Sequence, residues 1–258
     1  MNSPTFGVLG PLAAQGDSRS VVVRAAKQRA LLAVMLIRAG QEVSTDRLVE
    51  ELWEGAAPAT ARNTLHSLIL RLRRTLSVVS GDGKRLLEGR VAGYALQVAA
   101  EQIDSSRFEA LAARARDAEA GGNLEQASLL LSEALTLWRG PAFASVPPTP
   151  MIRAEAIRLD ELRLASLESR IEIDLRLGRH TGLVGELRTL VEQHPLRERL
   201  WEQLMQALYV TGRQVDAVAT YRRARAMFVR EFGLEPGPGL QRVHQKILTG
   251  RYVLDPPR

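Results

Sequence analysis

From Gly55 to Gly81 the chain contains no acidic residue, yet Arg62, His66, Arg71, Arg73 and Arg74 fall there. Leu65, Leu68, Ile69, Leu72 and Leu76 recur within this stretch at helical spacing. That pattern predicts a helix from about Thr60 to Leu76 with the leucine stripe against a core. The opposite face then carries Asn63, Ser67, Leu70 and Arg74, flanked by His66 and Arg71, with Thr64 alongside. A solvated amphipathic helix ordinarily mixes both charge signs. A helix lying in a phosphate-lined groove must instead avoid carboxylates, offer cations at its edges and present short polar side chains to base edges. Asn63 and Ser67, with His66 beside them, suit base contact. Arg71 and Arg74 can reach guanine or phosphate, and Arg62 and Arg73 suit clamping the backbone. Leu70 sits in the middle of the face: either it meets a thymine methyl, or the face is rotated by one residue.

Other residues with chemical potential are sparser. Arg85 and Arg90 fall in a strand-like region after the turn signal Gly81-Asp-Gly83, and Lys27 and Arg29 in the first turn of an earlier helix, all within reach of phosphate. No phosphate-binding Gly-x-x-x-x-Gly-Lys-Ser/Thr loop and no Gly-x-Ser-x-Gly elbow occurs. Histidines 66, 180, 194 and 244 are scattered, with no His-Glu-x-x-His and no carboxylate at ligand spacing. The absence of cysteine excludes disulfides and thiolate metal sites. No enzyme, cofactor or metal is therefore expected. Trp138, Trp201 and Tyr221 lie on helical stripes and read as core.

The elements that position these residues follow from pattern. Thr5–Leu12 and Ser20–Val23 read as strands around a turn-like Ala14–Ser18. Ala25–Ala39 reads as a helix stopped by Gly40; Ser44 caps a second helix with the stripe Leu48, Val49, Leu52 and Trp53, broken at Gly55-Ala-Ala-Pro58. The acid-free helix is third. Arg85–Glu88 and Tyr94–Val98, joined through Gly89 and Gly93, read as a hairpin. Three helices followed by a hairpin within about 98 residues is the layout of a winged helix-turn-helix.

After Asp104 strand signals vanish. Helices are predicted over 104–120, 123–138, 151–177, 182–194, 197–211, 214–232 and 238–249. The stripe Leu124, Ala127, Leu131, Ala134, Leu135, Trp138 marks the second of these, and Ile157, Leu164, Leu167, Ile171, Leu175 the third. A glycine at a helix–helix turn recurs at Gly122, Gly178 and Gly212, the last two 34 residues apart, which is the tetratricopeptide period. The interval from Gly122 to Gly178 is 56, so a repeat array would be irregular and a plain helical bundle stays open. The expected fold is mainly α with a small β component, divided into residues 1–99, a winged-helix DNA-binding domain, and 104–252, a tetratricopeptide-like domain.

Charge agrees with that division. The chain of 258 residues carries a net +6, and residues 1–100 hold 13 basic and eight acidic residues against 22 and 21 in the remainder. The basic excess is N-terminal, which points that half towards nucleic acid. No leader peptide and no apolar run of membrane-spanning length is visible, so a cytoplasmic, nucleoid-associated protein is expected.

Several motifs in series resemble the Streptomyces antibiotic regulatory protein family. They are Phe6-Gly-Val-Leu-Gly-Pro-Leu12, Ala26-Lys-Gln-Arg-Ala-Leu-Leu32, Asp46-Arg-Leu-Val-Glu-Glu-Leu-Trp53, Arg71-Leu-Arg-Arg-Thr-Leu76 and Gly93-Tyr-Ala-Leu96. In the second half, Ala134-Leu-Thr-Leu-Trp-Arg-Gly-Pro-Ala-Phe143, His194-Pro-Leu-Arg-Glu-Arg-Leu200 and Phe232-Gly-Leu-Glu-Pro-Gly-Pro238 are similar to that family's bacterial transcriptional activator domain. The resemblance implies an OmpR-type winged helix binding direct repeats near a promoter −35 element. It further implies recruitment of RNA polymerase through its sigma and alpha subunits and a secondary-metabolite gene cluster as target. It points to a short member of the family, with neither an ATPase domain after Arg258 nor a receiver domain before residue 5. Leu70 departs from the family, where that position is usually small or polar.

The expected mechanism places the third helix in the major groove and the hairpin on the adjacent minor groove or backbone. Two protomers would bind tandem half-sites about one helical turn apart, as a homodimer on DNA. The competing reading is a tetratricopeptide-type adaptor whose basic half is not a specific DNA reader.

Overall fold

The computed structural model describes residues 4–16 and 19–250. By Cα proximity the chain divides into Met1–Ala113 with Ser132–Leu164, and Arg114–Leu131 with Ala165–Arg258. In this partition residues 139–153 group with the N-terminal elements, to which they are bonded. Residues 1–3 of the first expected domain and 251–252 of the second lie outside the described residues, as do residues 17–18 of the expected Ala14–Ser18 turn.

The first unit opens with an antiparallel sheet, β1 (Thr5–Gly7), β2 (Ala13–Gln15) and β3 (Ser20–Val21), in which Phe6 pairs with Ala14 and Ala14 with Val21. The expected turn at Ala14 is thus partly a middle strand. Helix α1 (Ala26–Ile37) follows, buried continuously from Ala30 to Leu36. Strand β4 (Glu42–Ser44) leads into α2 (Thr45–Trp53), whose N-cap Ser44 accepts the Arg47 amide at 3.2 Å. Glu54 and Gly55, at φ 47° and 82°, end α2 and turn the chain towards α3 (Ala61–Ser80). Leu65, Leu68, Ile69, Leu72 and Leu76 are all buried, as their spacing predicts. The helix continues past Leu76 because Val79 buries as well.

The expected strand Arg85–Glu88 is instead a helical turn, α4 (Gly83–Leu86), followed by β5 (Leu87–Gly89). Asp82 is the reason: its carboxylate accepts the Lys84 and Arg85 amides, each at 3.0 Å, and so curls the chain. Strand β6 (Gly93–Leu96) completes the hairpin and also pairs with β4, giving the order β4-β6-β5. A Cβ at Gly93 would collide with the Val43 carbonyl, so only glycine lets these strands approach. Three helices with this hairpin form the winged helix.

The winged helix is held to the later part of the same unit by polar contacts, buried or part-buried except at Arg139. The Asp104 carboxylate accepts the Val8 amide at 2.7 Å and the Leu9 amide at 3.2 Å, and pairs with Arg139 at 3.0 Å. Arg139 N donates to Leu9 O at 2.7 Å and Phe143 N to Val8 O at 2.8 Å. On α2, Glu51 is 1% exposed and accepts from Thr149 Oγ1 at 2.9 Å, from the Met151 amide at 3.1 Å and from Arg47 at 2.7 Å. A buried carboxylate persists only when satisfied in this way.

Helices α5 (Asp104–Ala120), α6 (Leu124–Thr136) and α7 (Pro150–Arg176) contribute residues to both units. On α7 the expected stripe is corrected at one position: Ile157 is 67% exposed. Leu159 is buried instead, and residues two apart lie about 200° around a helix, so both cannot face inward. The second unit adds α8 (Leu183–Gln193), α9 (Glu198–Val210), α10 (Gln214–Phe232) and α11 (Pro238–Leu248), all as the sequence pattern predicts within two residues. Trp201 is buried in this core, and Tyr221 stacks on His244 at 3.8 Å.

The three recurring glycines of that unit have one conformation. Gly122, Gly178 and Gly212 have φ of 78°, 76° and 78°. Each helix end closes with the same pair of bonds, from Asn123 N to Ala118 O, Arg179 N to Asp174 O and Arg213 N to Leu208 O, with the glycine amides bonding Glu119, Leu175 and Tyr209 carbonyls. These are Schellman ends, in which a left-handed residue reverses the chain between helices.

Candidate nucleic-acid interface

The exposed side of α3 is built by the burial of its other side. With the leucine stripe inward, Arg62, Asn63, His66, Ser67, Leu70, Arg71 and Arg74 are all exposed. The side chains of Asn63, Ser67, Arg71 and Arg74 have no hydrogen bond or ion pair among the described residues. Their donors and acceptors are therefore available to a ligand. Thr64 is half-buried and its hydroxyl donates to the Thr60 carbonyl at 3.0 Å.

Two of the face residues are positioned by neighbours that the sequence did not indicate. His66 Nδ1 lies 2.7 Å from the Tyr94 hydroxyl on β6, the rings meeting edge-on at 71°. The hairpin thereby orients a histidine on the exposed face of α3. Arg62 pairs with Asp46 of α2 at 2.5 Å. The face that is acid-free in sequence thus has one carboxylate beside its N-terminal end in space. Both partners are exposed, and such pairs contribute about 0–1 kcal/mol, so Asp46 holds Arg62 only weakly.

The remaining predicted cations divide by environment. Arg73 is half-buried, donating through Nε to the Leu87 carbonyl at 2.9 Å and lying over the Tyr94 ring at 5.8 Å. Lys27 donates to the Leu52 carbonyl at 2.8 Å and sits 4.3 Å above the Trp53 ring, a cation at the C-terminal end of α2. Arg29 donates to the carbonyls of Ser145 at 2.6 Å, Val23 at 3.4 Å and Arg24. These three charges hold the fold. Arg85 lies on α4 rather than in the hairpin, exposed and unpaired among the described residues. Arg90 stands in the hairpin turn, 2.8 Å from Glu88, next to the fully exposed Val91 at the tip.

The arrangement offers unpaired guanidinium groups, a carboxamide and a hydroxyl on one convex helix, with a hairpin beside it. No covalent chemistry follows from such a set; reversible binding of a polyanion with hydrogen-bonding edges does.

Comparison with known proteins agrees. Residues 103–248 match the model of the bacterial transcriptional activator domain, and residues 19–96 match that of the transcriptional regulatory protein C-terminal domain. Over 97% of its length the chain is 39% identical to regulatory protein DnrI of Streptomyces peucetius, covering 94% of that protein. The chain belongs to the Streptomyces antibiotic regulatory protein family. Members of this family are DNA-binding transcriptional regulators, and so is this chain.

Other members are longer. Regulatory protein AfsR of Streptomyces coelicolor is 40% identical over 94% of this chain, which spans only 24% of AfsR. A solved structure of Mycobacterium tuberculosis EmbR, in complex with a low affinity phosphopeptide, superposes with a TM-score of 0.92 at 34% identity, over 98% of this chain and 67% of EmbR. The fold of this family member is thus that of a winged helix followed by a helical activator domain. Among its described residues no helix is long and apolar enough to cross a membrane.

Proposed function

We propose that this family member activates transcription by seating α3 in the major groove of direct repeats near a promoter −35 element, in the cytoplasm. Residues 1–99 read the DNA, and residues 104–252 hold protomers together and contact RNA polymerase through its sigma and alpha subunits. The observation that carries this reading is the exposed face of α3, where Asn63, Ser67, Arg71 and Arg74 are all unpaired among the described residues. Asn63 and Ser67 meet base edges, Arg71 and Arg74 reach guanine or phosphate, and Arg85 and Arg90 touch the backbone beside the helix. Two protomers bind head-to-tail as a homodimer on half-sites about one turn apart, as direct repeats require. A secondary-metabolite gene cluster is the proposed target, in keeping with the family.

Footprinting on promoters neighbouring the gene, with and without RNA polymerase holoenzyme, tests this directly. The expected result is two tandem protected half-sites on one face of the duplex, with protection extended and strengthened by polymerase. A palindromic footprint, or no effect of polymerase, would overturn the tandem activator reading.

A further inference from the structure

Leu70 is 55% exposed, whereas Leu65, Leu68, Ile69, Leu72 and Leu76 of the same helix are buried. Leu70 thus belongs to the outward side of α3 and not to its core. Its neighbours along that side are Asn63 and Ser67 on the preceding turns and Arg71 and Arg74 after it, all polar and unpaired among the described residues. The next large apolar side chain exposed on α3 is Val78, about two turns away. A lone leucine among polar groups does not make the contiguous apolar area that a protein partner needs.

We infer that Leu70 reads the C5-methyl group of a thymine. This inference rests on the proposed seating of α3 in the major groove. The thymine methyl is the only methyl group that base pairs present there, set among hydrogen-bond donors and acceptors. A leucine pressed onto the cytosine amino group, or onto guanine O6 and N7, would remove them from water and return no hydrogen bond. Leu70 therefore selects a T·A pair and disfavours G·C.

The test uses the full chain and a library of random-sequence duplexes, from which bound DNA is recovered over several rounds. Each thymine of the selected duplex is then replaced singly by deoxyuridine, which removes only the methyl group. Dissociation constants are measured by gel-shift titration for wild type and for Leu70→Ala, a surface substitution that leaves the core untouched. The expected result is one thymine per half-site whose methyl is worth about three- to fourfold in wild-type affinity, and no such dependence in Leu70→Ala. No methyl-sensitive thymine, or a sensitivity unchanged in Leu70→Ala, would overturn the inference while leaving α3 as the reading helix. A library that yields no enriched sequence would overturn the seating of α3 and this inference with it.

Discussion

The Tyr94 hydroxyl lies 2.7 Å from His66 Nδ1, joining the hairpin to the exposed face of α3. Tyr94 itself is buried, so its ring packs in the winged helix while its oxygen fixes a side chain that faces solvent. Tyr94→Phe keeps the ring and removes only that bond. The expected effect is a loss of DNA affinity of about three- to tenfold, the equivalent of one ordinary hydrogen bond, with the melting temperature changed by no more than a few degrees. Gel-shift titration alongside a thermal melt checks both. An unchanged affinity would mean that His66 needs no positioning.

Three arginines on one helix are expected to separate cleanly. Arg71 and Arg74 are exposed and unpaired among the described residues, while Arg73 donates to the Leu87 carbonyl. Arg71→Ala and Arg74→Ala should each weaken binding by about 1–3 kcal/mol where a base is read, with little change in stability. Arg73→Ala should lower stability by about 1.5–3 kcal/mol, the range for a hydrogen bond from a charged group. Urea unfolding paired with binding titrations distinguishes them; a stability loss at Arg71 equal to that at Arg73 would contradict the assignment.

A fragment ending near residue 100 should be a poor surrogate for the DNA-binding half. It lacks Asp104, which accepts the Val8 and Leu9 amides, and Thr149, which bonds buried Glu51. Asp104→Ala in the full chain should cost about 1–3 kcal/mol for each buried amide left unpaired. A 1–100 fragment as stable in urea as a 1–164 fragment would show these contacts to be dispensable.

Burial pushes the Glu202 carboxyl above its ordinary range, and the neighbouring Glu198 adds to that. The unfolded chain then loses its proton more readily than the folded one. The penalty on folding is absent below the unfolded value and grows as pH rises through the raised one. Glu202→Gln should therefore raise the melting temperature at pH 7, and the gain should vanish towards pH 4. Thermal melts across that range decide the sign; a gain that grows on acidification would contradict it.

Much of this was legible in the sequence because helical periodicity reports burial directly. The stripe from Leu65 to Leu76 placed the exposed face of α3 on the correct side, and Gly122, Gly178 and Gly212 marked three left-handed helix ends. Several of the failures share one cause. Strand β4 has three residues, too few for an alternation, and exists through pairing with β6 about 50 residues later. Asp46 beside Arg62, Tyr94 beside His66 and Ser145 beside Arg29 are also long-range partners, which local spacing does not encode. The backbone carbonyls that engage Lys27, Arg29 and Arg73 in the fold are likewise not encoded in local spacing.

The proposed contact of α3 with DNA runs through the unpaired cations of its outer face. The most direct measurement is the salt dependence of binding to the selected duplex, for wild type and for the Arg71→Ala/Arg74→Ala double variant. If each protomer neutralises roughly five phosphates, log K should fall with log salt at a slope of about −4 to −5. The double variant should shift the slope towards zero by about one for each cation that meets a phosphate. An affinity independent of salt, or a double variant with wild-type affinity and slope, would contradict the account.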